Sequence, residues 1–277
     1  MPRAREYQTE AIVIKKTKLG EADRILTFYT PEFGKVQGVA KGVRRPKSKL
    51  SGHLELLTHS TVSLVHGRNL DTVIGSQTID SFVPLKSDLE LGACALYATE
   101  LVWQFGAERQ ENRPLFDLLL DVMRRLEGCD GSGSRWLLRY FELHLLQEVG
   151  YRPQLRLCTA CRHPLPQGTN YFSASGGGVV CGDCRLSQSY TYPLSFDALA
   201  VLRYLQDGDW GVAHDIETEG GVAREIEAVL RYYLRYLLER DIRSTMWLDA
   251  VKRVLAVESH RTLVPPDTSP SLPSVSR

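Results

Sequence analysis

The chain opens with short segments of β-type patterning. From Thr9 the sequence TEAIVIKKTKL is an apolar run that becomes alternating, and RILTFYT is rich in β-branched and aromatic residues. PEFGK then signals a turn, after which VQGVAKG resumes. STVSLVHG alternates from Val62 to Leu64 before Val65 breaks the pattern, and LDTVIGSQTIDSF completes the set. Short strands divided by Gly, Pro and Asp turns predict a small barrel or sandwich.

From Ser87 the period lengthens. Cys94, Tyr97, Ala98, Leu101, Val102 and Phe105 lie on one helical stripe, and so do Leu115, Leu118, Leu119, Val122, Met123 and Leu126. Pro114 opens the second stripe and Gly128 follows it, as helix ends prefer. DGSGS reads as a loop with Ser134 as an N-cap, leading into a helix that Gly150 ends. Further helices are expected over about 195–206, 222–240 and 245–256, the middle one with a stripe from Ile226 to Leu237. Neither helical half buries much alone, so the two should pack together. The tail VPPDTSPSLPSVSR has almost nothing apolar to bury and is expected to be disordered.

Composition adds limits. The 277 residues allow two or three domains, and 43% hydrophobic with 24% charged residues is ordinary for a globular chain. The polar start MPRAREYQTE lacks the apolar stretch of a secretory signal, and no apolar run approaches a bilayer span. A cytoplasmic protein with reduced thiols and no membrane association is expected.

Four of the six cysteines fall in LCTACRHPLPQGTNYFSASGGGVVCGDC. Cys158 and Cys161 form one Cys-x-x-Cys pair, and Cys181 and Cys184 the other. Such pairs can close a tetrahedron around one ion at about 2.3 Å per sulfur, with the glycine-rich spacer as a hairpin. This is the layout of a zinc ribbon, preferred here to free thiols or a redox pair, with an iron–sulfur cluster as a rival. Four thiolates leave no open position, so one structural Zn²⁺ per chain is expected. His163 is redundant, and Cys94 reads as buried filler.

Net charge is only +1, but its distribution is uneven. Between Gly34 and Gly52 there are six basic residues and no acid: Lys35, Lys41, Arg44, Arg45, Lys47 and Lys49. A solvated loop is the plain alternative. Against it, the like charges repel unless an anion is present, and they sit in a barrel candidate. Phe28, Tyr29 and Phe33 lie just upstream and could stack on bases, as in OB-type barrels that hold single strands. No Walker loop, Gly-x-Gly-x-x-Gly, His-Glu-x-x-His or Gly-x-Ser-x-Gly occurs, so no catalytic residue is assigned and a non-enzyme is expected.

The stretch from Ala11 to Gly67, above all GEADRILTFYTPEFGK and AKGVRRPKS, resembles the N-terminal domain of the RecO family of bacterial recombination mediators. LRYYLRYLLERDIRSTMWLD resembles that family's C-terminal helical signature, with the cysteine pairs placed as in its zinc-bearing members. The resemblance implies an α+β multidomain chain. An OB-fold over 1–82 would be followed by a helical domain in two parts, 83–156 and 191–262. A zinc ribbon over 157–190 would separate them, and a disordered tail 263–277 would follow. It implies a nucleoid-associated DNA repair protein that binds single- and double-stranded DNA and anneals complementary strands. With RecR, and by docking the acidic tail of single-stranded DNA-binding protein on the helices, it would help load RecA, an indirect partner. DNA contact carries over to Lys35, Lys41, Arg44 and Arg45; Lys47 and Lys49 extend the set on charge alone. The alternative is a zinc-ribbon protein acting in transcription or on RNA.

Overall fold

The computed structural model describes residues 6–129, 131–213 and 220–262. The segment 263–277, expected to be disordered, lies outside the described residues.

Five strands close a barrel: β1 (Glu6–Leu19), β2 (Asp23–Thr30), β3 (Gly34–Ala40), β4 (His59–Val65) and β5 (Asp71–Asp80). Their order around it is β1-β2-β3-β5-β4, with β4 returning to β1. The closing pair, β3 with β5, is parallel and short, and the other pairs are antiparallel. Of the barrel and sandwich that the strand pattern allowed, the chain forms the barrel, and its OB-like architecture is the one the family resemblance implies. A register shift between Val13 and Lys15 bends β1, so that its first half pairs with β4 and its second half with β2.

The run AIVI in β1 is continuous because both of its faces are buried. Ala11 and Val13 join Leu26, Phe28 and Val62 inside the barrel. Ile12 and Ile14, with Tyr29 and Leu57, enter the core of the helical part instead. Each such side chain contributes about 1.5–3 kcal/mol of burial, so β1 fastens the barrel to the helices.

The helical part begins with α1 (Val83–Ser87) and α2 (Leu89–Phe105), followed by α3 (Arg113–Leu126) and α4 (Gly131–Glu148). Asp88 and Asn112 cap α2 and α3 through their side chains, 2.9 and 3.0 Å from the backbone nitrogens of Leu91 and Leu115. The expected loop at 131–134 is instead the first turn of α4. Ser134 therefore lies inside the helix, and its hydroxyl reaches Glu90 of α2 at 3.4 Å. Gly150, at φ +84°, follows the end of α4, as expected.

A three-stranded sheet interrupts the helices: β6 (Asn170–Ser173), β7 (Gly178–Val180) and β8 (Tyr192–Leu194), in the order β7-β6-β8. The chain then forms α5 (Phe196–Asp207), the short α6 (Trp210–Ala213), α7 (Gly220–Leu238) and α8 (Ser244–Thr262). One core unites both sides of the interruption: Leu101, Leu119 and Phe141 share it with Leu202, Ile226 and Leu234. Cys94 lies in it, 3% exposed, and burial pushes its thiol up to about 12.

Barrel and helices also meet through backbone. Lys35 N–H donates to the Ala107 carbonyl at 3.0 Å, and Arg109 N–H to the Lys35 carbonyl at 3.1 Å. Gly34 makes this approach possible: it sits at φ +56°, and a Cβ there would lie 2.1 Å from the Gln110 carbonyl oxygen.

Candidate nucleic-acid interface and metal centre

The basic segment 41–49 leaves the barrel at the end of β3. Val43, 6% exposed, plugs into the barrel core and anchors the loop. Gly42 turns the chain at φ +64° while its N–H donates to Asp23 Oδ1 at 2.7 Å. Arg44 N–H donates to the Ala22 carbonyl at 3.0 Å, and two further turns close with Arg45 N–H on Gly42 and Ser48 N–H on Arg45. The backbone is thus pinned, while Lys41, Arg44, Arg45, Lys47 and Lys49 are all exposed. Among the described residues none of these five pairs with an acid within 4.0 Å, although other surface cations do, such as Lys16 with Glu55. Arg44 and Arg45, with Arg24, Pro46, Ser51 and Glu55, line an open cleft of about 310 Å³.

Lys35 stands apart from these five. It is half-buried, and its ammonium donates to the Trp103 carbonyl at 2.9 Å, across the seam between barrel and helices. Burial lowers its pKa from the ordinary lysine value. Two of the three upstream aromatics offer no stacking face, and the third, Phe33, is half-buried. Phe28 and Tyr29 are fully buried, one inside the barrel and one against the helices, and Phe33 packs edge-on to Tyr7 at 4.9 Å.

The four cysteines of the two pairs converge. Cys158, Cys161, Cys181 and Cys184 place their sulfurs within 4.8 Å of one another, with Cys161 Sγ and Cys181 Sγ 3.9 Å apart. A tetrahedral ion bound at about 2.3 Å per sulfur requires sulfur–sulfur edges of ~3.8 Å, so the set fits a metal ion. Each pair sits on a tight turn, closed by Arg162 N–H on the Cys158 carbonyl at 3.0 Å and by Cys184 N–H on the Cys181 carbonyl at 3.1 Å. Backbone N–H groups also point at sulfur, Cys181 N lying 3.4 Å from Cys158 Sγ. Burial opposes ionisation of Cys158, but N–H groups of Cys161, Cys181 and Ala160 outweigh it and bring the thiol down to about 6. Such a thiol is ready to ligate as thiolate. His163 contributes its backbone, its carbonyl accepting from Cys158 N–H at 2.9 Å.

The sheet beside this site is built into the helical core. Phe172 of β6 is fully buried and meets Tyr233 of α7 edge-on at 5.2 Å, and the Tyr233 hydroxyl donates to the Tyr151 carbonyl at 3.1 Å. Gly178 lets Gln154 run alongside β7; a Cβ there would lie 2.3 Å from the Gln154 carbonyl oxygen. Cys158, Cys181 and Val180, with Cys184 packed against them, form a small cluster of their own, separate from the helical core.

Two family models cover almost all of this architecture. Residues 2–82 match "Recombination protein O N terminal" and residues 86–246 match "Recombination protein O C terminal". The chain belongs to the RecO family. Relatives named "DNA repair protein RecO" include one from Dehalococcoides mccartyi, 43% identical over 253 residues, covering 91% of this chain and 99% of the relative. Another, from Roseiflexus sp., is 42% identical over 257 residues, covering 93% and 90%. A third, from Bifidobacterium adolescentis, is 33% identical over 250 residues, covering 88% and 99%. The two family matches divide the chain where the barrel gives way to α1 and α2, and the second spans the cysteine sheet. No helix among the described residues is long and apolar enough to cross a membrane.

The Arg109–Asp71 pair and the Lys35–Trp103 contact escape a reading of the sequence. Their partners are separated by 38 and 68 positions, and no periodicity links them.

Proposed function

We propose that the protein is a non-enzymatic DNA repair mediator that binds DNA through the 41–49 loop and anneals complementary single strands. The observation that carries this is the set of five exposed cations on a pinned loop without acidic partners. Holding like charges together is costly unless an anion neutralises them, and a phosphate backbone does so with release of counterions. Family membership, with relatives named as DNA repair proteins, supports the same reading.

Annealing on this surface needs no nucleotide hydrolysis. The loop screens the charge of two backbones and raises the local concentration of one strand near the other; base pairing supplies the driving force. Lys41, Arg44, Arg45, Lys47 and Lys49 carry the phosphate contacts. Lys35 fixes the seam from which the loop projects.

The four cysteines hold one Zn²⁺ as a brace. Zinc suits four thiolates in a tetrahedron, and a filled coordination sphere supplies folding energy rather than catalysis. On the family's pattern, RecR and the acidic tail of single-stranded DNA-binding protein are the partners through which the mediator helps load RecA, the tail docking on the helical part, at the nucleoid in the cytoplasm.

The test is annealing of complementary oligonucleotides by the purified protein without ATP, alongside titration of a labelled single strand over a range of salt. Acceleration of annealing and a log–log salt slope of roughly −3.5, for about five phosphates neutralised, are expected. A flat salt response would remove the loop from the reading.

A further inference from the structure

A second group of cations gathers about Trp103, on the seam between barrel and helices. The Lys15 ammonium lies over the Trp103 ring, 3.5 Å from its centroid, and the Arg240 guanidinium is 5.9 Å from the same ring. Lys35 holds the Trp103 carbonyl. Burial lowers the pKa of the Lys15 ammonium, and the charges of Arg243 and Arg240 lower it further against the opposing pull of Glu100. These side chains come from β1, β3 and the corner between α7 and α8, so the fold brings them together from distant parts of the chain.

Little negative charge answers them. The carboxylate facing Lys15 is Glu100, and its two oxygens already accept from the backbone nitrogens of Arg243 and Ser244, at 3.0 and 2.6 Å. Glu108 faces Lys35. Asp241, next to Arg240 in sequence, is paired with Arg235 at 2.8 Å. Among the described residues, neither the Arg240 nor the Arg243 guanidinium has a carboxylate oxygen within 4.0 Å, and both residues are exposed, although Glu100 lies against the Arg243 backbone. Neither is required to fill a core.

The corner that presents them turns sharply. Glu239, just beyond α7, adopts φ +52°, a left-handed conformation that costs a non-glycine residue energy. That turn brings Arg240 back toward Trp103. In the same corner the Ser244 hydroxyl is buried without a hydrogen-bond partner. Four cations drawn from distant elements, Lys15, Lys35, Arg240 and Arg243, are answered by two carboxylates, Glu100 and Glu108, and this excess of positive charge around one aromatic ring marks a place suited to an anion.

We propose that Lys15 and Arg240, set over Trp103, and the neighbouring Arg243 form a second phosphate-binding site that takes the sugar–phosphate backbone of a nucleic-acid strand. The inference rests on the reading that the 41–49 loop binds DNA, and it lengthens that footprint. Lys15 and Gly20 are five residues apart along β1 and its end, ~17 Å of strand, and Arg44 reaches the Gly20 carbonyl at 3.3 Å. One nucleic-acid strand following β1 meets both sites. A phosphodiester backbone fits better than an acidic, apolar-ended peptide, because Lys15 already covers the ring that such a peptide would need to pack against.

The experiment uses the full chain and a fluorescein-labelled oligothymidylate, titrated over a range of salt. Compared are the unaltered protein, Lys41→Glu with Arg44→Glu, Arg240→Gln with Arg243→Gln, and Arg240→Lys with Arg243→Lys. Removing two phosphate contacts should make the salt slope shallower by ~1.4 and weaken binding on the order of tenfold at moderate salt. The lysine pair should keep most of the slope, because it keeps the charge. If the unaltered protein fails to bind, or Lys41→Glu with Arg44→Glu changes nothing, the loop reading itself fails. If those controls behave and the glutamine pair binds with unchanged slope, this second site is overturned. A synthetic aspartate-rich peptide tests the other occupant: loss of its binding in the glutamine pair, with the DNA slope intact, would make the corner a protein dock and overturn the proposal. Thermal unfolding of each variant shows whether it is folded, and the folded lysine pair gives a second reading if the glutamine pair is not.

Discussion

Arg109 Nη2 lies 2.8 Å from Asp71 Oδ2, joining the α2–α3 connection to the first residue of β5. Asp71 is fully buried and also accepts from the Tyr7 hydroxyl and from Gly67 N–H at 3.2 Å. One carboxylate thus ties together β1, the β4–β5 turn and the helical part. Asp71→Ala leaves three donors without their acceptor and should cost about 2–4 kcal/mol, discounted from a fully buried pair because Arg109 is partly exposed. Urea unfolding at neutral pH measures this.

The same carboxylate sets a pH dependence. Burial alone raises the pKa of Asp71, but the Arg109 and Tyr7 hydrogen bonds outweigh it and hold it below its ordinary value of 3.8. A depressed acid contributes stability that is full above the unfolded value and is lost as pH falls through the folded one. Unaltered protein and Asp71→Asn should therefore differ by a constant amount from neutral pH down to about 5 and converge below 3.8. Convergence already at pH 6 would assign the difference to another group.

The pinning of the basic loop predicts an effect separate from charge. Asp23 Oδ1 holds Gly42 N–H at 2.7 Å, in the turn between Lys41 and Arg44. Asp23→Ala keeps every cation but lets the loop move, so each binding event must order it again. Affinity for a single strand should fall about fivefold, since roughly 1 kcal/mol of ordering is at stake, while the salt slope stays unchanged. Lys41→Ala with Arg44→Ala should instead make the slope shallower by ~1.4. Titrations of both variants over the same salt range distinguish preorganisation from charge.

What was legible in the sequence follows from what is local. The helical stripes repeat within a few residues, and Cys-x-x-Cys spacing encodes a turn, so the helices and the cysteine cluster could be read directly. The aromatics of β2 could not. Its last five residues, Leu26 to Thr30, are all buried, because one face fills the barrel and the other meets the helices. Alternation fails on such a strand, and nothing local separates a core phenylalanine from a stacking one. Helix α4 begins before Ser134, whose buried side chain meets Glu90 of α2 instead of serving as its cap. Lys35 shares its sign and its stretch of sequence with Lys41 and Arg44, yet its direction is decided by Trp103, 68 positions away.

The proposed metal brace and the proposed DNA surface should separate under mutation. Cys158→Ala removes a buried ligand from a closed site. In isolated zinc peptides the ion is worth about 10–16 kcal/mol, because binding and folding coincide. Here the loss should be smaller, since Phe172 on Tyr233 and Gln154 beside Gly178 hold the sheet by packing and backbone contact. It should still exceed the cost of an ordinary cavity, because three thiols would remain clustered without the ion proposed to join them. The melting temperature should fall by several degrees or more, with one fewer zinc per chain by elemental analysis. The 41–49 loop is anchored in the other core, through Val43, so the folded Cys158→Ala protein should keep its DNA affinity. Lys41→Glu with Arg44→Glu should do the reverse, since both residues are exposed and hold no ion pair: melting temperature nearly unchanged, DNA affinity sharply reduced. The decisive measurement sets both variants side by side at one salt concentration. A cysteine variant that keeps its melting temperature yet loses DNA would make the sheet beside the metal a DNA surface, and the reading of it as a brace would fall.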